Sequence, residues 1–253
     1  MRGLDGKVAV IAGGGGIGAE TARRLASEGC NVMLGDIAIG PAEAAAAAIT
    51  AEGGATCVAH AFDASDDASV KALVDAAIAR FGRVDFMHAN AADMVSIRSD
   101  TDALTIDLDV YDRTIQVNQR GYLSCTRHAL PHLIANRGAI VYTSSSAAHM
   151  GEPERVAYAM TKAAANALMR HVASRWGKEG VRANSICPGM VLTQQIKEHI
   201  PQEFVDRVLL AHRSWRLGES EDIAAMVAML FSKDGEWITG QVIAVDGGAS
   251  IRP

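Results

Sequence analysis

Near its start the chain runs from a short apolar, β-branched segment, Lys7-Val8-Ala9-Val10-Ile11, into Ala12-Gly13-Gly14-Gly15-Gly16-Ile17-Gly18. It then enters a helical pattern over residues 19–28 that Gly29 closes. No other stretch restricts the fold as much. A strand that is apolar at successive positions is buried on both faces, so the sheet it belongs to needs a layer on each side. Glycines between strand and helix let the backbone approach a pyrophosphate, whose charge then rests on the helix N-terminus. A flexible turn would use the same glycines, and the next strand separates the two possibilities. Asn31-Val32-Met33-Leu34-Gly35 ends in Asp36, about 20 residues past the glycines, where a dinucleotide fold places its ribose-binding acid. A carboxylate there accepts hydrogen bonds from ribose hydroxyls and repels a 2′-phosphate. Ile37, Ala38 and Ile39 supply no Arg or Lys to attract that phosphate. The pattern therefore predicts NAD rather than NADP.

Strand and helix patterns alternate through the rest of the chain. Apolar runs at 56–62, 84–89, 138–143, 181–186 and 241–245 are separated by helical patterns. These helices run from Pro41 to about Glu52, from about Asp66 to Phe81 (Ser65 as N-cap, Gly82 beyond the end), and from about Val110 to Ile134. Two more run from Val156 to near Gly180 and over 219–231, the last capped from Glu219 or Ser220. Such alternation predicts an α/β fold: one doubly wound parallel sheet of about seven strands, with helices on both faces, formed by the 253 residues as a single domain. With 49% hydrophobic and 21% charged residues, a large core is available. A net charge of -5 without basic blocks argues against nucleic-acid binding. No apolar run reaches a membrane span, and residues 1–7 lack a signal-peptide core. Cys30, Cys57, Cys125 and Cys187 form no Cys-x-x-Cys pair, and they read as reduced thiols of a cytoplasmic protein. His128 and His132 are four apart but lack a third ligand and flank Pro131, so no metal site is expected. Asp93 to Leu108 reads as an aspartate-rich surface excursion, and 194–216 as a mobile helical lid.

The chemistry-bearing stretch is Tyr158-Ala159-Met160-Thr161-Lys162. Residues four apart share a helix face, so the phenol and the ammonium project side by side. A neighbouring ammonium stabilises phenolate and lowers the tyrosine pKa from about 10 toward neutral, which makes a general acid/base. Taken alone, the spacing is also that of any amphipathic helix carrying a Tyr and a Lys. Its setting adds weight. Ser145 stands 13 residues earlier, after the run at 138–143, and the carboxyl ends of strands are where open α/β sheets gather ligands. No histidine is placed as an obvious base for a nucleophilic serine.

Along nearly its whole length the chain resembles the short-chain dehydrogenase/reductase family, whose domain is a Rossmann-type fold. Five features in order carry the resemblance: Gly13 with Gly16-Ile17-Gly18, Asn90-Ala91, the set Asn118, Ser145, Tyr158 and Lys162, Pro188-Gly189 with Val191 and Thr193, and Val245-Asp246-Gly247-Gly248. The resemblance implies that Tyr158 shuttles the proton of an alcohol or ketone and that Lys162 lowers its pKa and binds the nicotinamide ribose. It further implies that Ser145 orients the substrate oxygen and that Asn118 holds a water linking Lys162 to solvent. By the same likeness, Gly13, Gly16, Ile17 and Gly18 cradle the cofactor, and Asp36 with Ile37 meets its adenosine half. Asp63 and Ala64 hold the adenine, Asn90 lies near the adenosine ribose, and Pro188, Val191 and Thr193 hold the carboxamide. A homotetramer is implied as well. Three departures stand out: Ala12 replaces a threonine in a loop one residue shorter than usual, Ala89 an asparagine, and Ala92 a glycine. Losing those polar groups predicts a differently packed cradle. Met94, Val95, Met150, Met190, Ile196 and Ile200 suggest a partly apolar small-molecule substrate. Two other readings remain: an NADP-dependent 3-oxoacyl-type ketoreductase, which Asp36 disfavours, and a non-catalytic nucleotide-binding homologue, which the intact set of four disfavours.

Overall fold

The computed structural model describes residues 1–197 and 200–251, without the side chains of Gln194 and Gln195. Its strands are β1 (Val8–Ala12), β2 (Asn31–Asp36), β3 (Cys57–Ala61), β4 (Phe86–Ala89), β5 (Ala139–Thr143), β6 (Arg182–Pro188), β7 (Val191–Leu192), β8 (Gly218–Glu219) and β9 (Val242–Val245). Its helices are α1 (Gly16–Ser27), α2 (Ile39–Ala51), α3 (Asp67–Phe81), α4 (Leu108–Thr114), α5 (Gly121–Asn136), α6 (Val156–Trp176), α7 (Gln194–Lys197), α8 (Gln202–Leu209) and α9 (Ser220–Phe231). Seven strands form one parallel sheet in the order β3-β2-β1-β4-β5-β6-β9. Alternate residues of each central strand serve opposite cores. Val10, Ala12, Met33, Met87 and Ile140 pack with Leu73, Leu133 and Met169 of α3, α5 and α6. Ala9, Ile11, Val32, Leu34 and Val141 pack with Leu25, Ile49 and Val227 of α1, α2 and α9. That is why these strands read as unbroken apolar runs.

The strand order reverses at β1, which has β2 on one side and β4 on the other. The carboxyl ends of the strands at such a reversal are the usual ligand position of an open α/β sheet. The glycine loop follows β1 and Asn90 follows β4, so both lie there.

Two local expectations need correction. The cap of α3 is Asp66, whose side chain accepts from Ala68 N, while Ser65 donates through its N–H and its hydroxyl to Asp63 Oδ1 (2.8 and 2.7 Å). The helix expected over 110–134 is interrupted: Ile115–Arg120 winds as a π-helix between α4 and α5. One residue added to a turn barely disturbs an apolar period, so the sequence does not reveal it, although such turns recur at functional sites. In the segment 194–216, α7 and α8 are short helices, and residues 198–199 lie outside the described residues. Val191–Leu192 and Gly218–Glu219 form a two-stranded parallel ribbon at the base of that segment, too brief to leave a sequence signal. Among the described residues no helix is long and apolar enough to cross a membrane.

Candidate active site

The glycine loop is shaped to leave its outer face open. Gly13 adopts φ +107, and a Cβ on it would stand 2.6 Å from the Ala91 backbone nitrogen. A Cβ on Gly18 would collide with the Gly13 carbonyl oxygen, so only glycine lets α1 begin this close to β1. A Cβ on Gly15 would meet nothing within 4 Å, and α1 begins with neither a side-chain cap nor an acidic residue in its first turn. Its N-terminal dipole is therefore available to an anion such as a pyrophosphate. Thr193, past β7, packs its methyl against Gly16, which brings the segment after β6 over the same loop.

The missing threonine and asparagine are compensated by different groups. Asn90 Nδ2 donates to Gly13 O (2.9 Å), and the Asn90 and Ala91 N–H groups both donate to Ala12 O (2.9 and 2.7 Å). Asn90 Oδ1 in turn accepts from Thr143 Oγ1 (2.9 Å), which lies 2.8 Å from His88 Nε2. Because the Thr143 hydroxyl proton is committed to Asn90, His88 donates through Nε2–H and is neutral. Burial first, and the Lys162 charge second, push its pKa down to about 3. One buried chain of side chains thus ties the glycine loop to β4 and β5.

At the end of β2, Asp36 accepts from Gly14 N (2.7 Å) with one oxygen and from Ala38 N (2.8 Å) with the other. A carboxylate has about four lone-pair positions, so acceptor capacity is left for ribose hydroxyls. Ile37 is exposed beside it. Asp63 follows β3, its carboxyl held below the ordinary range by the Ser65 hydroxyl, and Ala64 packs against Gly121. Pro188 ends β6, and Gly189 N donates to Val245 O (3.2 Å). These cofactor candidates lie at or just past the carboxyl ends of the strands, whereas Lys162, the candidate for the nicotinamide ribose, lies on α6.

The four candidate catalytic residues come from three neighbouring elements: the turn after β5, the π turn before α5, and the start of α6. Ser145 follows β5, its hydroxyl accepts from Ala147 N (3.2 Å), and it lies near enough to the Tyr158 phenol, in the first turn of α6, to lower its pKa. Lys162 is buried, with Nζ 5.5 Å from the Tyr158 ring centroid. Its ammonium donates to Thr143 O (2.7 Å) and to Tyr122 Oη (3.1 Å), while the Ser144 hydroxyl donates to the Lys162 carbonyl (2.9 Å). Asn118, in the π turn, accepts from Asp93 N (2.7 Å) and donates to Thr161 Oγ1 (3.5 Å). Tyr122 and Thr143 escaped the sequence reading; Tyr122 lies four residues beyond Asn118, the one signal that was there to use.

The electrostatics differ from expectation. Burial raises the Tyr158 phenol above its ordinary value, and the nearby Ser145 hydroxyl opposes that rise. Burial likewise lowers Lys162 to about 7. In this arrangement burial outweighs the lowering influences on the phenol, and the Lys162 ammonium donates to Tyr122 and Thr143. Between pH of about 7 and about 10.5 an unfolded lysine holds a proton that the folded one has released, so stability rises with pH through that window. We expect Lys162→Met to flatten this rise. Urea unfolding without added nucleotide, at pH values of about 6.5 and 9, measures it. Equal slopes for the two proteins would contradict the buried setting of Lys162.

Comparison with known proteins fits this geometry. The family model described as enoyl-(acyl carrier protein) reductase matches residues 11–250. A probable short-chain type dehydrogenase/reductase of Bradyrhizobium diazoefficiens is 38% identical over 250 residues, covering 98% of this chain and 89% of that protein. The meso-2,3-butanediol dehydrogenase of Serratia marcescens is 35% identical over 251 residues, covering 98% and 96%. A solved 7α-hydroxysteroid dehydrogenase, complexed with NADH and 7-oxo glycochenodeoxycholic acid, superposes with a TM-score of 0.89 at 31% identity, covering 98% of this chain and 95% of that one. With the family model matching residues 11–250 and these relatives similar along nearly its full length, the chain belongs to the short-chain dehydrogenase/reductase family of oxidoreductases.

Proposed function

We propose that the protein is an NAD-dependent dehydrogenase that interconverts a secondary alcohol and its ketone, with Tyr158 as general acid/base. The observation that carries this reading is the convergence of Ser145, Tyr158 and Lys162 beside the glycine loop. The butanediol dehydrogenase and the NADH-bound hydroxysteroid dehydrogenase support it as relatives acting on alcohols. When bound, the nicotinamide supplies the hydride acceptor or donor.

The remaining work belongs to the chain. Gly13, Gly16, Ile17 and Gly18 would hold the pyrophosphate, Asp36 and Ile37 the adenosine ribose, and Asp63, Ala64 and Asn90 the adenine end. Pro188, Val191 and Thr193 would hold the carboxamide. Ser145 orients the substrate oxygen, and the Tyr158 hydroxyl gives a proton to a ketone oxygen or, as phenolate, takes one from an alcohol. Lys162 fixes the ribose, and Asn118 braces α6 through Thr161. Asp36 makes NAD the preferred nucleotide. Exposed Met94, Val95 and Met150 suit a partly apolar substrate, and the segment 194–216 serves as its cover. The exposed apolar Leu123 on α5 and Met160 on α6 suit pairing with further copies, so a cytoplasmic homotetramer is the assembly we propose. A panel of secondary alcohols, read by NADH formation at alkaline pH, tests the reaction. NADH formation with several of them is expected, and none with any would count against the reading.

A further inference from the structure

The helix that carries Tyr158 starts without a cap of its own. Its N-cap residue, Arg155, has φ 61 and makes no capping side-chain hydrogen bond. An α-helix leaves its first N–H groups without intrahelical partners, and a buried start has to find them elsewhere. Here they come from a stretch more than fifty residues upstream. Arg155 N donates to Asp100 O (3.1 Å) and Val156 N to Thr101 O (3.2 Å). The two oxygens of the Asp100 carboxylate then accept from Ala157 N (3.1 Å) and Tyr158 N (2.7 Å). Asp100 is 4% exposed, which sets it apart from the other aspartates of the excursion. Asp102 and Asp107 close turns of their own segment, and Asp93 does so while its N–H binds Asn118.

The loop from Asp93 to Asp100 is therefore fastened at one end to Asn118 and at the other to the backbone of Tyr158. Between the fastenings it presents Met94 and Val95 to solvent, 58% and 82% exposed. A buried carboxylate at a helix N-terminus gains from both charge-assisted hydrogen bonds and the helix dipole. Proton transfer from a side chain depends on position to within a fraction of an ångström.

We infer that Asp100 is a positioning residue: from the loop that walls the substrate side, it sets the place of the Tyr158 hydroxyl by holding the first turn of α6. This rests on the role proposed for Tyr158. Asp100→Ala removes both acceptors. Asp100→Asn keeps one and turns an amide N–H toward a backbone N–H, whereas Asp100→Glu retains the carboxylate.

The experiment measures kcat per folded molecule, KM for NAD and NADH affinity by fluorescence, in wild type, the three Asp100 variants and Tyr158→Phe. For Asp100→Ala and Asp100→Asn we expect kcat to fall about 10- to 100-fold. Nucleotide affinity stays within about 2-fold, and Asp100→Glu recovers part of the loss. A residue that only stabilised the fold would lower the unfolding temperature and leave kcat per folded molecule unchanged; that result overturns the inference. If wild type turns over no alcohol, the proposed reaction fails separately, and hydrogen exchange then decides the placement. Faster exchange at Ala157 and Tyr158 in Asp100→Ala, with the C-terminal half of α6 unchanged, upholds the hold on the helix start, and unchanged exchange at those two amides overturns it.

Discussion

Tyr158→Phe is expected to lower kcat about 10²- to 10⁴-fold while NADH still binds with nearly wild-type affinity, the range a positioned proton donor supplies. The substitution removes one oxygen and leaves the ring, whose centroid lies 5.5 Å from the Lys162 ammonium. Ser145 keeps the hydrogen bond it accepts from Ala147 N (3.2 Å), so the turn after β5 is retained. Loss of turnover with intact nucleotide binding separates proton transfer from assembly of the cradle. Near-normal turnover would show that another group moves the proton. The buried thiol of Cys187 and the His149 ring, 3.4 Å apart, would be the first place to look.

The second large effect concerns nucleotide choice. Asp36→Arg is expected to lower the ratio of kcat/KM for NAD to that for NADP by about 10²- to 10³-fold. Each hydrogen bond from a ribose hydroxyl to the carboxylate is worth about 1.5–3 kcal/mol, or about 10- to 100-fold. Replacing repulsion of a 2′-phosphate by attraction adds to that. Asp36 also holds Gly14 N and Ala38 N, so the variant loosens the loop and weakens both nucleotides. The ratio, rather than either value, is therefore the informative quantity. An unchanged ratio would mean that Asp36 faces the glycine loop alone and not the ribose.

The sequence was most informative where one interaction dominates a stretch. Strands buried on both faces must be apolar throughout, so β1, β2, β5 and β6 could be located within a few residues, and their alternation with helices implied the parallel order. The glycine loop was legible because close backbone approach excludes every other residue at Gly13 and Gly18. Long-range hydrogen bonds were not legible. Asn90 substitutes for the polar groups missing at Ala12 and Ala89 by reaching Gly13 O, a contact across 77 positions that no local pattern reports. Asp100 looked like one more exposed aspartate, since its burial follows from the path of α6. The direction of the Lys162 ammonium was hidden for the same reason. Spacing puts Lys162 beside Tyr158, but Tyr122 and Thr143, contributed by α5 and β5, decide where its protons point.

The central claim is that hydride passes between the substrate carbinol carbon and NAD while Tyr158 handles the proton. The most direct test is a secondary alcohol deuterated at its carbinol carbon, incubated with NAD and with wild type or Tyr158→Phe, and followed by mass spectrometry of the nucleotide. The account predicts singly deuterated NADH with wild type, with no deuterium lost to water, and hardly any with the variant. Unlabelled NADH from wild type, or equal labelling by both proteins, would contradict it.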